Sequence, residues 1–124
     1  MKSKISLNDN VFNSPKNPLF TREHASDRII YNTFSTVQTN TPLWTPSAGK
    51  KIFLTAMQIS ALSPLTVTFE KANNEPFMSI VMTAEMATYS ESFSSPVVFD
   101  VNEAISISTN AAGTVNITLF GYED

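Results

Sequence analysis

The sequence predicts an all-β sandwich or barrel of about seven or eight short strands, preceded by an extended N-terminal arm. Three observations predict it. Apolar residues alternate with polar ones in run after run, the period of a half-buried strand, and no stretch sustains helical spacing. Ser, Thr and Asn total 40 of the 124 residues and outnumber the 19 charged ones. Threonine suits a pleated surface, while Ser and Asn compete with helical hydrogen bonds. Turn residues punctuate the chain at the short intervals expected of a small β-domain.

Residues 1–27 are read as the arm. Pro15 and Pro18 disfavour both helix and central strand. The segment still holds Ile5, Leu7, Val11, Phe12, Leu19 and Phe20, too many large apolar groups for a purely solvated tail. Residues 1–28 carry a net charge of +2 and residues 29–124 one of −5. An arm of this kind is expected to lie on a partner, with Phe12, Leu19 and Phe20 in pockets and Lys16 meeting acidic groups.

The domain is expected over residues 28–124. RIIYNTFSTV opens it as a strand with Ile30, Asn32 and Phe34 on one side and Ile29, Tyr31 and Thr33 on the other. A proline-bounded loop follows and carries the single tryptophan, Trp44. KKIFLTAMQIS is apolar on both faces, Ile52, Leu54 and Ala56 against Phe53, Met57 and Ile59, as in a strand buried on two sides. A small sandwich covers only one such face, so Phe53, Met57 and Ile59 are expected at a homo-oligomer interface.

LTVTFEK places Leu65, Val67 and Phe69 on one face. Asn73, Asn74 and Pro76 mark a turn, and FMSIVMT follows with Met78, Ile80 and Met82 together. TAEMATYSESFSS reads as a loop with a short strand around Tyr89 to Phe93, and PVVFDV as a separate strand begun by Pro96. AISIST alternates, Asn110 to Gly113 forms a hairpin connection, and the last strand sets Val115, Ile117 and Leu119 against Asn116, Thr118 and Phe120.

The chemistry available is narrow. With no cysteine, disulfides, thiolate metal sites and a cysteine nucleophile are excluded. The one histidine, His24, lies in the arm without a nucleophile beside it. Three scattered glycines, Gly49, Gly113 and Gly121, build no phosphate cradle. Glu70, Glu75, Glu85, Glu91, Asp100 and Glu103 show no spacing that makes two carboxylates converge, nor a calcium-loop pattern, so most are expected in solvent. Asn116-Ile117-Thr118 matches a glycosylation sequon but sits inside a strand. The net charge of −3 and pI near 5.0 argue against nucleic acid as a partner. No apolar run is long enough for membrane insertion, and MKSKISLNDN lacks a signal peptide's apolar core. No enzyme activity, metal or cofactor is expected. If the domain binds a glycan, Trp44, Tyr89 and Phe93 are the stacking residues; core or interface packing is the commoner use of such rings.

Two stretches carry a family resemblance. Thr45-Pro46-Ser47-Ala48-Gly49-Lys50-Lys51-Ile52, with the strand after it, resembles the opening strand pair of small virion proteins of tailed bacteriophages. Asn102-Glu103-Ala104-Ile105, with SISTNAAGTVNITLFGYE, is similar to their closing hairpin. Asn102 stands where that pattern commonly has glycine. The resemblance implies a jelly-roll-like sandwich that forms a homotrimer in the virion, with no catalytic residues. It implies a capsid decoration protein docked on the major capsid protein or another virion protein. The alternative is a receptor- or carbohydrate-binding module of a fibre or tail, recognising a host surface glycan.

Overall fold

The computed structural model describes Arg28–Asp124; the arm and its expected contacts Phe12, Lys16, Leu19 and Phe20 lie outside the described residues. Eight strands follow in order: β1 (Arg28–Phe34), β2 (Thr41–Trp44), β3 (Ile52–Ala61), β4 (Leu65–Glu70), β5 (Pro76–Met82), β6 (Thr88–Val98), β7 (Ile105–Thr109) and β8 (Val115–Glu123). A single 3-10 turn, Ala72–Asn74, joins β4 to β5.

The strands form two four-stranded antiparallel sheets, ordered β1-β8-β3-β6 and β2-β7-β4-β5. Strand β1 pairs with β8, β2 with β7, β3 with β6 and β4 with β5. That is a long antiparallel ribbon rolled up on itself, with the pairs β3–β8 and β4–β7 closing the roll. The chain is a jelly-roll sandwich.

Alternation builds the core. Ile30 and Phe34, then Leu65, Val67 and Phe69, Ile80 and Met82, Ile105 and Ile107, and Val115, Ile117 and Leu119 all face between the sheets. Each fully buried side chain of this size contributes about 1.5–3 kcal/mol. Phe77 meets Phe99 edge-on, with ring centroids 5.3 Å apart.

Strand β3 departs from its expected two-sided burial, and a bulge is the reason. Leu54 lies opposite Gly121 and Ala56 opposite Phe120, so Thr55 is an extra residue. One inserted residue switches which side chains point inward. Ile52 and Leu54 face the core before the bulge; Met57 and Ile59 face the same core after it, 1% and 0% exposed. The Thr55 hydroxyl donates to the Phe120 carbonyl at 3.1 Å. Met57 and Ile59 therefore lie inside their own subunit, and only Phe53 of the three expected interface residues looks outward.

Two further differences concern element boundaries. The proline-bounded loop contains β2, whose register shifts between Pro42 and Trp44, so that Leu43 and Trp44 are both buried. The short strand around Tyr89 and the strand at PVVFDV are one element, β6. Its pairing with β3 jumps from Ser92 to Val97, so Phe93–Pro96 leave the ladder opposite the β3 bulge.

Candidate interaction surface

The rim near the end of β8 is held by carboxylates. Glu123 continues the inward phase of β8. Its Oε2 accepts from the Trp44 indole N–H at 2.8 Å and from the Arg28 guanidinium at 3.1 Å, and its Oε1 accepts from the Ser47 backbone N–H at 3.0 Å. Burial by itself pushes this carboxyl up, but the hydrogen bonds from Trp44 and Ser47 and the Arg28 charge outweigh it and hold it below the usual range. Glu103, also buried, accepts from the backbone N–H groups of Asp100 at 2.7 Å and Ala72 at 2.8 Å, joining two neighbouring connections. Glu70 accepts from the Asn40 amide and the Ser108 hydroxyl, both at 2.9 Å. Glu70 and Glu103, grouped by sequence with acids mostly expected in solvent, are thus buried and, like Glu123, tie loops to strands.

Asn102 has a related task. It adopts φ 65°, a left-handed conformation that Asn tolerates better than most residues, and its Oδ1 accepts from the Gly49 backbone N–H at 2.7 Å. Among the described residues, no group of three or more His, Cys, Asp or Glu side chains is placed to hold a metal ion.

The three aromatic residues expected as a sugar platform do not converge. Trp44 is 2% exposed, with its ring in the core and its N–H on Glu123. Tyr89 is half-buried against the core, and its hydroxyl donates to Glu91 Oε1 at 2.8 Å. That bond, then burial and the Glu91 charge, push the tyrosine hydroxyl up. Phe93 also packs against the core, at the start of the β6 excursion.

The outer face of the β1-β8-β3-β6 sheet presents a different cluster. Ile29 and Tyr31 on β1 are 66% and 61% exposed. Ile29 lies opposite Phe120, and Tyr122 lies opposite Phe53, which in turn lies opposite the half-exposed Val98. The Phe53 and Tyr122 rings stack with centroids 4.8 Å apart and planes within 5°. An apolar and aromatic stripe thus crosses all four strands at the end of the sheet nearest the Glu123 rim, with the half-exposed Val101 just past β6.

The far end of the same face is polar. Thr33 lies opposite Asn116, Asn116 opposite Ser60 and Ser60 opposite Thr88. The Tyr31 hydroxyl donates to Asn116 Oδ1 at 3.1 Å, marking the boundary. The outer face of an antiparallel sheet commonly shows water a polar surface, and the stripe departs from that pattern.

Sequence reasoning set Phe120 opposite the core residues of β8 and placed Ile29 and Tyr31 on one side of β1, but did not join them. The joining signal is cross-strand register, which only pairing supplies. No known protein-family model matches this chain, and no curated protein matches it in sequence.

Proposed function

We propose that this protein is a non-enzymatic structural component of a bacteriophage virion, a capsid decoration protein that trimerises and docks on the particle surface. The observation that carries the reading is the apolar stripe of Ile29, Tyr31, Phe53, Phe120 and Val98. It is an open surface on a domain whose own core is already closed. Two observations support it further. The jelly-roll strand order agrees with the architecture that the TPSAGKKI and NEAI stretches imply by resemblance. The carboxylates Glu70, Glu103 and Glu123 are bound up in holding loops, leaving function to surfaces. The docking partner on this reading is the major capsid protein or another virion protein.

Sedimentation of the full chain tests the assembly step. A trimer at micromolar concentration that falls to monomer in Phe120→Lys is the expected result; a monomeric wild-type chain overturns it. A count of copies in purified particles tests the location. Many copies per particle are expected. A few copies at one vertex or tip would replace the decoration role with a receptor- or carbohydrate-binding module of a fibre or tail.

A further inference from the structure

The stripe runs out to an edge that is unlike the other three. β2 is four residues long and contains Pro42. β5 begins on Pro76, and its register shifts beside Phe69. β6 is interrupted by the Phe93–Pro96 excursion. Prolines, short length and bulges are the usual devices that stop an edge from pairing. β1, with the sequence RIIYNTF, is seven residues long and has none of them. Among the described residues no strand pairs with the outer edge of β1, so unpaired backbone and exposed apolar side chains meet there at Ile29 and Tyr31.

The chain also enters the fold there. Arg28, opposite Gly121, is the first described residue, and its guanidinium is bound to Glu123 at the rim. β1 runs from the stripe toward the polar end of the sheet, so Arg28 marks the stripe end of that strand. Twenty-seven residues precede it, with six large apolar side chains and a net charge of +1 against −4 for residues 28–124. Extended, they reach up to about 90 Å. The stripe is only three interstrand spacings wide, about 14 Å.

We propose that residues 1–27 of one copy cover the apolar stripe and the open β1 edge of a neighbouring copy, with Phe12, Leu19 and Phe20 as the apolar anchors. The inference rests on the reading of the stripe as an assembly surface and names what covers it. Composition, opposite charge, reach and the entry of the chain beside the stripe at Arg28 select this occupant over a second copy of the sheet face.

The chain has no cysteine, so a single thiol introduced by Ser14→Cys carries a spin label at one site. Full-length labelled chain is mixed with isotope-labelled wild-type chain that bears no spin label. The expected result is loss of signal intensity for the side chains of Ile29, Tyr31 and Phe120 on the isotope-labelled copies. The double variant Leu19→Ser, Phe20→Ser, labelled in the same way, should abolish that loss. Intensity lost only when both labels are on one chain overturns the inference, because the chain then covers its own stripe. A trimer that persists in the double variant, with the stripe shielded from a soluble relaxation agent, also overturns it and assigns the stripe to a second sheet face. In both of these cases the structural reading above survives. A monomeric chain whose stripe stays open to the agent, and whose particle attachment is unchanged by Phe120→Lys, removes both.

Discussion

Replacing Gly121 with alanine probes the feature that orients the stripe. Gly121 sits on β8 between Phe120 and Tyr122, in the inward phase, opposite Leu54 and beside the β3 bulge. A methyl group there would overlap the Phe53 carbonyl oxygen and lie 3.1 Å from both the Phe53 carbonyl carbon and Trp44 Cη2. Neither neighbour yields easily. The Phe53 backbone is held between β8 and β6, and the Trp44 ring is pinned by its 2.8 Å bond to Glu123. Overpacking a tight interior costs about 1–3 kcal/mol, and backbone contact puts this case at the upper end. The strand preference for alanine over glycine returns only about 0.5–1 kcal/mol. The net expectation is a loss of about 2 kcal/mol, or about 8–16 °C in Tm for a domain of this size. Thermal unfolding followed by circular dichroism measures it, with Gly49→Ala as the control. At Gly49 a methyl meets nothing within 4 Å, but φ is +82°, so only the left-handed backbone cost of about 1–2 kcal/mol applies. Trp44 fluorescence adds the local readout, since its ring must shift in Gly121→Ala and stay in place in Gly49→Ala. An unshifted Trp44 spectrum together with an unchanged Tm in Gly121→Ala would refute the argument that the Phe53 backbone and the Trp44 ring leave no room for a methyl group there.

Glu123→Gln should lower stability by about 1.5–3 kcal/mol near neutral pH, the range for hydrogen bonds to a charged group. The Glu123 carboxyl is held below its ordinary value in the fold, so its contribution is present above the unfolded carboxylate pKa of about 4.3 and is lost as pH falls through the folded value. The Tm of wild type should therefore fall more steeply in acid than that of Glu123→Gln, and parallel curves would contradict the assignment. Asn102→Gly keeps the left-handed backbone but leaves the Gly49 N–H without its acceptor, a loss of about 1 kcal/mol by chemical denaturation. Asn102→Ala adds about 1–2 kcal/mol of backbone strain, so alanine must be the worse of the two. Met57→Lys should unfold the domain, since it places a charge inside the core, whereas Phe120→Lys should leave stability within about 0.5 kcal/mol of wild type and remove self-association. If Met57→Lys folded normally and lost only assembly, the inward assignment of Met57 would be wrong.

Short-range pattern carried a large part of this fold. Alternation alone oriented β1, β4, β5, β7 and β8, because a strand with one buried face must place its apolar residues two apart. Composition alone removed thiolate and histidine-rich chemistry, because the residue types are absent. β3 shows where that logic ends. Its sequence is apolar in both phases, and only the partner strand reveals that Thr55 is extra, so that Met57 and Ile59 turn into the core. β2 and the long β6 were equally hidden, since their irregular registers, at Pro42 and at Phe93–Pro96, erase the period-two signal. Sequence left the rings of Trp44, Tyr89 and Phe93 open to either core packing or sugar stacking, and the inward placement of Trp44 is tied to Glu123, 79 positions away. The stripe is the clearest case. Ile29, Phe53, Val98 and Phe120 come from four strands far apart in the chain, and antiparallel register alone makes them neighbours. Where a strand keeps its period, the chain by itself determined which residues can face outward; tertiary pairing decided where a bulge resets that phase and which outward residues share a surface, because both depend on which strand lies beside which.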